Sequence, residues 1–314
     1  MDLYSIGEMV IDFTPGSEPA SYIRNAGGAP VNAAIALVKS GLTAGVCCSV
    51  GDDDFGRFLM DTLREYNVRV LNPRLCREAV TTMAFVTLYE NGDRSFVFAR
   101  KPGADMFLRE EDVREEDIRE SAIVHAGSCS LSASPEREAT VRALRLGREM
   151  GKLVSFDVNY RNLMWDDDQE ACAQAVREIL PYVDLLKISA EEVEMMGGEE
   201  GIPALMERFG LTVVMETLGP DGARCFFRGK KFLSPGGKGK CVDATAAGDS
   251  FWGGFLASLR LQGVNLAGDI TEEILRRAAA YGNAAGDLCV QRKGAIAAIP
   301  TREEIEAQLE ACQG

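Results

Sequence analysis

Histidine is almost missing from this chain: His125 is the only one in 314 residues. A single imidazole cannot supply the paired ligands of an H-E-x-x-H zinc site, and a Ser-His-Asp triad would have to run through that one residue. Basic charge is also short. Lys and Arg number 34 against 48 Asp and Glu, a formal net charge of −14, so the clustered cations that grip nucleic acid or an anionic bilayer are lacking. No apolar run reaches the ~18 residues of a membrane span. Met1-Asp2-Leu3-Tyr4-Ser5 has neither a basic n-region nor an apolar h-region. These absences predict a cytosolic protein that binds neither nucleic acid nor membrane. A phosphorylated small molecule remains compatible, because a few local N–H groups outweigh a distant global charge.

Paired cysteine motifs are absent too. The nine cysteines are odd in number, contain no C-x-x-C and sit mostly among apolar residues, which predicts reduced thiols used as small hydrophobes. Asp54-Phe55-Gly56 has no H-R-D loop to accompany it, so a protein kinase is excluded. Gly236-Gly237-Lys238-Gly239-Lys240 lacks P-loop spacing, and no G-x-G-x-x-G follows a strand. His125, before Ala126-Gly127-Ser128, reads as a hydrogen-bonded core residue.

What is present is an alternation of short apolar runs with helical ones. Leu3–Phe13 reads as a strand, Ala29–Ser40 as a helix ending at Gly41, Ala44–Val50 as a strand and Phe55–Tyr66 as a helix. Strands at 123–125, 153–158, 184–188 and 211–216 alternate with helices at 136–150 and 168–180, and helices at 248–262, 272–288 and 302–311 close the chain. Continuous apolar strands with helices between them predict a mainly parallel sheet covered on both faces. Residues 80–100 break the rhythm as two β runs joined by Asn91-Gly92, a hairpin signal. With the short, polar 13–25 stretch they suggest a β flap over the sheet's C-terminal edge. The expectation is one domain over 1–314, with a lid formed by about 13–26 and 80–105.

The chemistry concentrates at Asp243-Ala244-Thr245-Ala246-Ala247-Gly248-Asp249. Small residues lead into a helix with Phe251, Trp252, Phe255, Leu256 and Leu259 on its apolar face. The first amides of that helix, from Ala246 to Asp249, have no intrahelical acceptor and can converge on an anion. Read alone, the segment leaves Asp249 either as a first-turn cap or as the acceptor of a proton from a hydroxyl attacking a phosphate.

A resemblance decides between them. The segment resembles the D-T-x-G-A-G-D signature of the ribokinase/PfkB carbohydrate kinases, and Gly27-Gly28 through Asn32 resembles their G-G-x-x-x-N. The likeness runs almost end to end. It takes in Gly7–Asp12, Gly51–Gly56, Asp157-Val158-Asn159-Tyr160-Arg161, Ser189-Ala190-Glu191-Glu192, Thr217-Leu218-Gly219-Pro220-Asp221-Gly222, Gly282–Gly286 and Gly294–Pro300. It implies a three-layer ribokinase-like α/β sandwich with a small β lid. It also implies Asp249 as general base, with the amides of Ala246, Ala247 and Gly248 as an anion hole. Asp12, Gly27, Gly28 and Asn32 would bind sugar hydroxyls. Asn159, Arg161, Lys187, Thr217, Gly219, Gly222 and Asn283 would surround ATP. Glu192 would organise Mg²⁺ through water, and Asp243 and Thr245 would hold a monovalent cation such as K⁺.

Three positions depart from the family pattern. Ala246 replaces the first glycine of G-A-G-D, an alanine that is comfortable there if φ is negative, and A-A-G-D also resembles the 2-keto-3-deoxygluconate kinase branch. Ser189 replaces the Asn of N-x-x-E. Ala29 stands where ribokinases carry Lys, which disfavours ribose. Gly27–Asn32, Phe98–Asp105 and Lys187–Ser189 with Glu192 resemble fructokinases most. Phe98 and Arg100 would then lie at the sugar, Arg100 binding a neutral ketose or, as in the ketodeoxygluconate kinases, pairing with an acid group. The reading is an ATP-dependent kinase making fructose 6-phosphate. The alternatives are a 2-keto-3-deoxygluconate kinase, a nucleoside kinase or a catalytically weak sensor. Pairing of two lids into a homodimer is also expected.

Overall fold

The computed structural model describes residues 1–18, 20–88 and 94–311. The Asn91-Gly92 turn and Cys312 lie outside the described residues. From the N-terminus, β1 (Leu3–Ile6), β2 (Val10–Pro15) and β3 (Tyr22–Gly27) precede α1 (Ala29–Lys39), and β4 (Ala44–Cys47) precedes α2 (Asp54–Glu65). Next come β5 (Arg69–Val70), β6 (Met83–Leu88), β7 (Arg94–Ala99), α3 (Glu115–Arg119), β8 (Ile123–Gly127), α4 (Glu136–Glu149), β9 (Leu153–Asp157), α5 (Gln169–Ile179) and β10 (Leu185–Ser189). The chain ends with α6 (Ala190–Val193), α7 (Ile202–Phe209), β11 (Val213–Thr217), β12 (Gly222–Phe227), β13 (Lys230–Pro235), α8 (Ala247–Leu261), α9 (Glu272–Val290) and α10 (Arg302–Ala311).

Nine strands form one sheet in the order β13-β12-β11-β10-β9-β8-β1-β4-β5, parallel from β11 to β5, with β12 and β13 antiparallel at one edge. Alternate side chains of each parallel strand enter different helical layers, as the two-residue period demands. Leu3, Ile123, Leu153, Leu185 and Val213 pack with α1, α2, α8 and α9 residues such as Ile35, Leu59, Trp252 and Leu275. Tyr4, Val124, Val154, Leu186 and Val214 pack with Leu144, Val176 and Ile202 on the other face. The three-layer α/β expectation is met. Strands β5, β12 and β13 were not expected: β5 is two residues long, and β13 opens on two exposed lysines.

The second sheet has four strands, β3-β2-β6-β7. It corrects the single strand expected over Leu3–Phe13. The chain turns at Gly7, which has φ 144, and passes from the large sheet into the small one between β1 and β2. Both halves are apolar, so their pattern shows no seam. In the small sheet Asp12 lies opposite Asn25 and Ala84, and Ala84 opposite Phe98, so these four share a face. Phe13 and Phe85 stack on the other face at 5.0 Å, and Phe13 meets Phe55 of α2 edge-on.

Helix α8 is buried throughout, from Asp249 to Leu259, rather than along one apolar face. Small residues make this possible. A side chain at Gly253 would come within 2.5 Å of the Ala33 carbonyl, so only glycine lets α1 and α8 approach this closely. Gly253 lies one turn after Asp249 and Ala33 follows Asn32. The close crossing therefore sets those two polar residues side by side. No helix among the described residues is long and apolar enough to cross a membrane.

Candidate active site

The turn before α8 is where the first amides meet the cleft. Ala246 has φ 59, the left-handed region that costs a non-glycine residue about 1 kcal/mol or more. The negative φ that would make an alanine comfortable there is not what the turn adopts. The Ala247 N–H donates to the Ala244 carbonyl at 3.3 Å, and the Ser250 N–H to the Ala246 carbonyl at 2.8 Å. Among the described residues no acceptor takes the amides of Ala246, Gly248 and Asp249. The free donors are therefore those three, with Asp249 in place of the expected Ala247. Left-handed geometry at Ala246 is what turns successive N–H groups toward one side.

Asp249 is 93% withdrawn from solvent. Its Oδ2 accepts a 2.8 Å hydrogen bond from Asn32 Nδ2. The Asn32 Oδ1 is buried and has no partner, an acceptor waiting for a hydroxyl. Asp12 reaches the same space from the small sheet. Burial is the main influence on its carboxyl and pushes it up to about 6, the Arg161 guanidinium opposing and the Asp249 charge adding to the rise. Gly27 lies directly against that carboxylate, leaving no room for a side chain. At Gly28, with φ 119, a side chain would strike the Glu8 backbone.

A cleft of ≈ 450 Å³ extends from Asp249 over the C-terminal ends of β9, β10 and β11. Asn159, Arg161, Lys187, Glu192, Thr217 and the Ala246–Asp249 turn line it. Lys187 Nζ bonds both Asp157 oxygens, at 2.9 and 2.8 Å, in a pair almost sealed from water. Burial opposes charge on both partners. The Asp157 carboxyl is raised, burial outweighing Lys187, while Asp157 and Glu192 hold Lys187 above the usual lysine range. Glu192 accepts from the Tyr160 N–H at 2.7 Å and the Ser189 N–H at 2.8 Å, and Ser189 caps α6 in return. Serine thus fills the Asn position of N-x-x-E as a capping residue. Gly219 and Gly222 form the turn between β11 and β12 with positive φ. Asp243 accepts from the Thr245 N–H and hydroxyl and from the Gly294 N–H, tying the loop before α8 to the turn after α9.

Two expected site residues are engaged elsewhere. Arg100 donates to Asp105 at 2.7 Å, Ser132 at 3.1 Å and Glu136 at 3.4 Å. That corrects the picture of an unpaired fork awaiting an acid sugar. Two carboxylates of its own chain attract the guanidinium first. Asn283 donates to the Ser234 and Pro235 carbonyls at 3.0 Å and does not line the cleft; it braces the loop leaving β13. Phe98 shares a face of the small sheet with Asp12.

Sequence reading missed Asp157, though it opens the D-x-N-x-R segment, because its role depends on Lys187, thirty residues away. Tyr160 and Glu191 also line the cleft. His125 is a core residue, bonded to Ser155, which also accepts from Trp252. Burial drops its imidazole to about 3, so it stays neutral. The eight described cysteines are unpaired, and all but Cys241 are buried.

The arrangement suits a phosphate-bearing nucleotide: free amides at a helix start, a lysine and backbone turns in one cleft. Among the described residues no three His, Cys, Asp or Glu side chains cluster as a metal cage. Comparison with known proteins agrees with this chemistry. The pfkB family carbohydrate kinase pattern spans residues 2–302. The probable fructokinase-5 of Arabidopsis thaliana is 35% identical over 309 residues, covering 95% of this chain and 94% of its own. The fructokinase of Xylella fastidiosa with bound ATP superposes with a TM-score of 0.94 at 28% identity, covering 100% and 99%. The Vibrio cholerae fructokinase bound to fructose, ADP and calcium gives 0.87 at 30% identity, covering 98% of each chain.

Proposed function

The chain belongs to the pfkB family of carbohydrate kinases, phosphotransferases with an alcohol acceptor, and on that premise we propose that it phosphorylates fructose from ATP to give fructose 6-phosphate. The observation that carries this reading is the Asn32–Asp249 pair beside three unclaimed amides. Asp249 takes the proton from the sugar's hydroxymethyl group as its oxygen attacks phosphorus. Asn32 holds that carboxylate in place through Nδ2 and offers Oδ1 to a second sugar hydroxyl. Asp12, from the lid, accepts from further hydroxyls, and Phe98 covers the ring.

ATP would supply the transferable phosphoryl group, and Mg²⁺ would supply positive charge to offset that of its phosphates. The amides of Ala246, Gly248 and Asp249 face the charge that spreads over the phosphoryl oxygens. Lys187 adds a cation from the cleft floor, and Asn159, Arg161, Thr217, Gly219 and Gly222 hold the nucleotide. Asn283 supports it from behind. Glu192 would help to hold Mg²⁺ through water, since that ion keeps much of its hydration shell. Asp243 and Thr245 would hold a monovalent cation such as K⁺. The lid excludes water that would otherwise receive the phosphoryl group. Its exposed Tyr22, Ile23 and Val97 suit pairing with a second copy, which sedimentation would test.

Fructose is favoured over 2-keto-3-deoxygluconate because the Arg100 guanidinium is already neutralised by Asp105 and Glu136. The test is ADP release with fructose, 2-keto-3-deoxygluconate, ribose and adenosine. Fructose should give the highest kcat/KM, and a clear preference for the acid sugar or adenosine would remove the assignment.

A further inference from the structure

The lid joins the body through four crossings of the chain: before β2, after β3, before β6 and after β7. Each crossing carries a group in or beside one buried ionic cluster. Glu8 lies two residues before β2 and accepts the Ala29 N–H, two residues after β3, at 3.2 Å. Thr82, just before β6, donates its hydroxyl to Asp105. Arg100, just after β7, donates to Asp105 and, in the body, to Ser132 and Glu136 at the start of α4. Glu8, Arg100, Asp105 and Glu136 are each at least nine-tenths buried.

Asp105 and Glu136 pair directly with this guanidinium, and Glu8 is near enough to feel the charges of both Arg100 and Asp105. Glu8 Oε2 and Glu136 Oε1 have no hydrogen-bond partner. Burial, with Asp105 adding to it, raises Glu8 to about 7 and Glu136 well above the usual range. Such a cluster is a poor way to gain stability, since buried charges lose more hydration than a well-packed apolar core would. Its location at all four crossings gives it a different task. The Ala29 end also opens α1, where the Asn32 N–H bonds the Gly28 carbonyl at 2.9 Å one turn before Asn32 meets Asp249.

We propose that Arg100, Glu8, Asp105 and Glu136 form the seat of the lid, positioning residues that fix the small sheet against the body so that Asp12 and Asn32 meet the sugar together. Arg100 does this without touching the sugar. The inference rests on the small sheet acting as a lid over the sugar site.

The test compares Arg100→Gln, Glu136→Gln, their double variant and Thr82→Val, with melting curves for each. In every variant the fructose KM should rise roughly tenfold and sugar-free ATP hydrolysis several-fold, while kcat at saturating fructose stays within about threefold. The double variant should be no worse than either single one, because both break the same seat. Arg100→Lys should restore part of the loss. If Glu136→Gln behaves as wild type while Arg100→Gln loses fructose affinity without extra hydrolysis, Arg100 is a direct sugar ligand and the proposal is overturned. If the arginine variants do not fold, Thr82→Val decides alone, and wild-type kinetics in it overturn the seat. Asp249→Asn serves as the parallel control: undiminished turnover there overturns the reading of the site itself, whereas lost turnover there with no KM and hydrolysis change in the seat variants overturns only the seat.

Discussion

Replacing Asp249 by Asn changes one oxygen to an amide nitrogen with almost no change in size. The new side chain can still accept from Asn32 Nδ2 through its remaining oxygen, so the 2.8 Å contact and the α1–α8 crossing survive. What disappears is the ability to take a proton. A positioned general base contributes about 10²–10⁴ in rate, or roughly 3–5 kcal/mol of barrier. The amides of Ala246 and Gly248 belong to the backbone and are untouched, so ATP affinity should hold. Coupled ADP release should therefore show kcat lowered by about a thousandfold, with calorimetric ATP binding within about twofold of wild type. Asn32→Leu supplies the scale. It keeps the carboxylate but removes one charge-assisted hydrogen bond, worth about 1.5–3 kcal/mol, so its loss should be the smaller. Turnover in Asp249→Asn within about threefold of wild type, or a greater loss in Asn32→Leu, would refute the assignment of the base.

Three other perturbations separate stability from chemistry. Lys187→Met leaves Asp157 as a buried carboxylate without its cation, which should cost about 3–5 kcal/mol in urea unfolding. Adding Asp157→Asn should recover most of that stability without restoring turnover; a double variant no more stable than the single one would contradict the pairing. Ala246→Gly relieves a left-handed φ, so it should stabilise the fold by up to about 1 kcal/mol, whereas a large loss would mean the turn is unstrained. Glu8 has a carboxyl near 7 in the fold against 4.5 ordinarily. The folded state therefore binds the proton more tightly, and stability falls as pH rises from about 4.5 to about 7, by roughly 3 kcal/mol. Glu8→Gln should flatten that part of the pH profile measured by urea midpoints, and an unchanged profile would show that Glu8 carries no such proton.

The parts of this protein that depend on neighbours in sequence were legible beforehand. The 3.6-residue period found α2, α4, α5 and α9 to within two residues, and the apolar runs found β8 to β11. The small-residue segment before α8 marked the phosphate turn, because amides at a helix start are free whatever surrounds them. Periodicity failed where meaning depends on distant partners. Leu3–Phe13 reads continuously although Gly7 divides it between two sheets. Ala246 shows no sign in sequence of its positive φ.

The charged residues divide in the same way. That Asp249 follows an amide-rich turn is a local fact. That Asn32, 217 positions earlier, grips its carboxylate was decided by Gly253, whose missing side chain lets two helices touch. The resemblance of Phe98–Asp105 to fructokinases places Arg100 at the sugar, and sequence does not show which charges its guanidinium meets. The fold supplied Asp105, five residues on, and Glu136 from another helix. Sequence alone determined which groups could carry the chemistry; tertiary structure decided which of them remain free to do so, because a charge enclosed by the fold must find its counter-charge there.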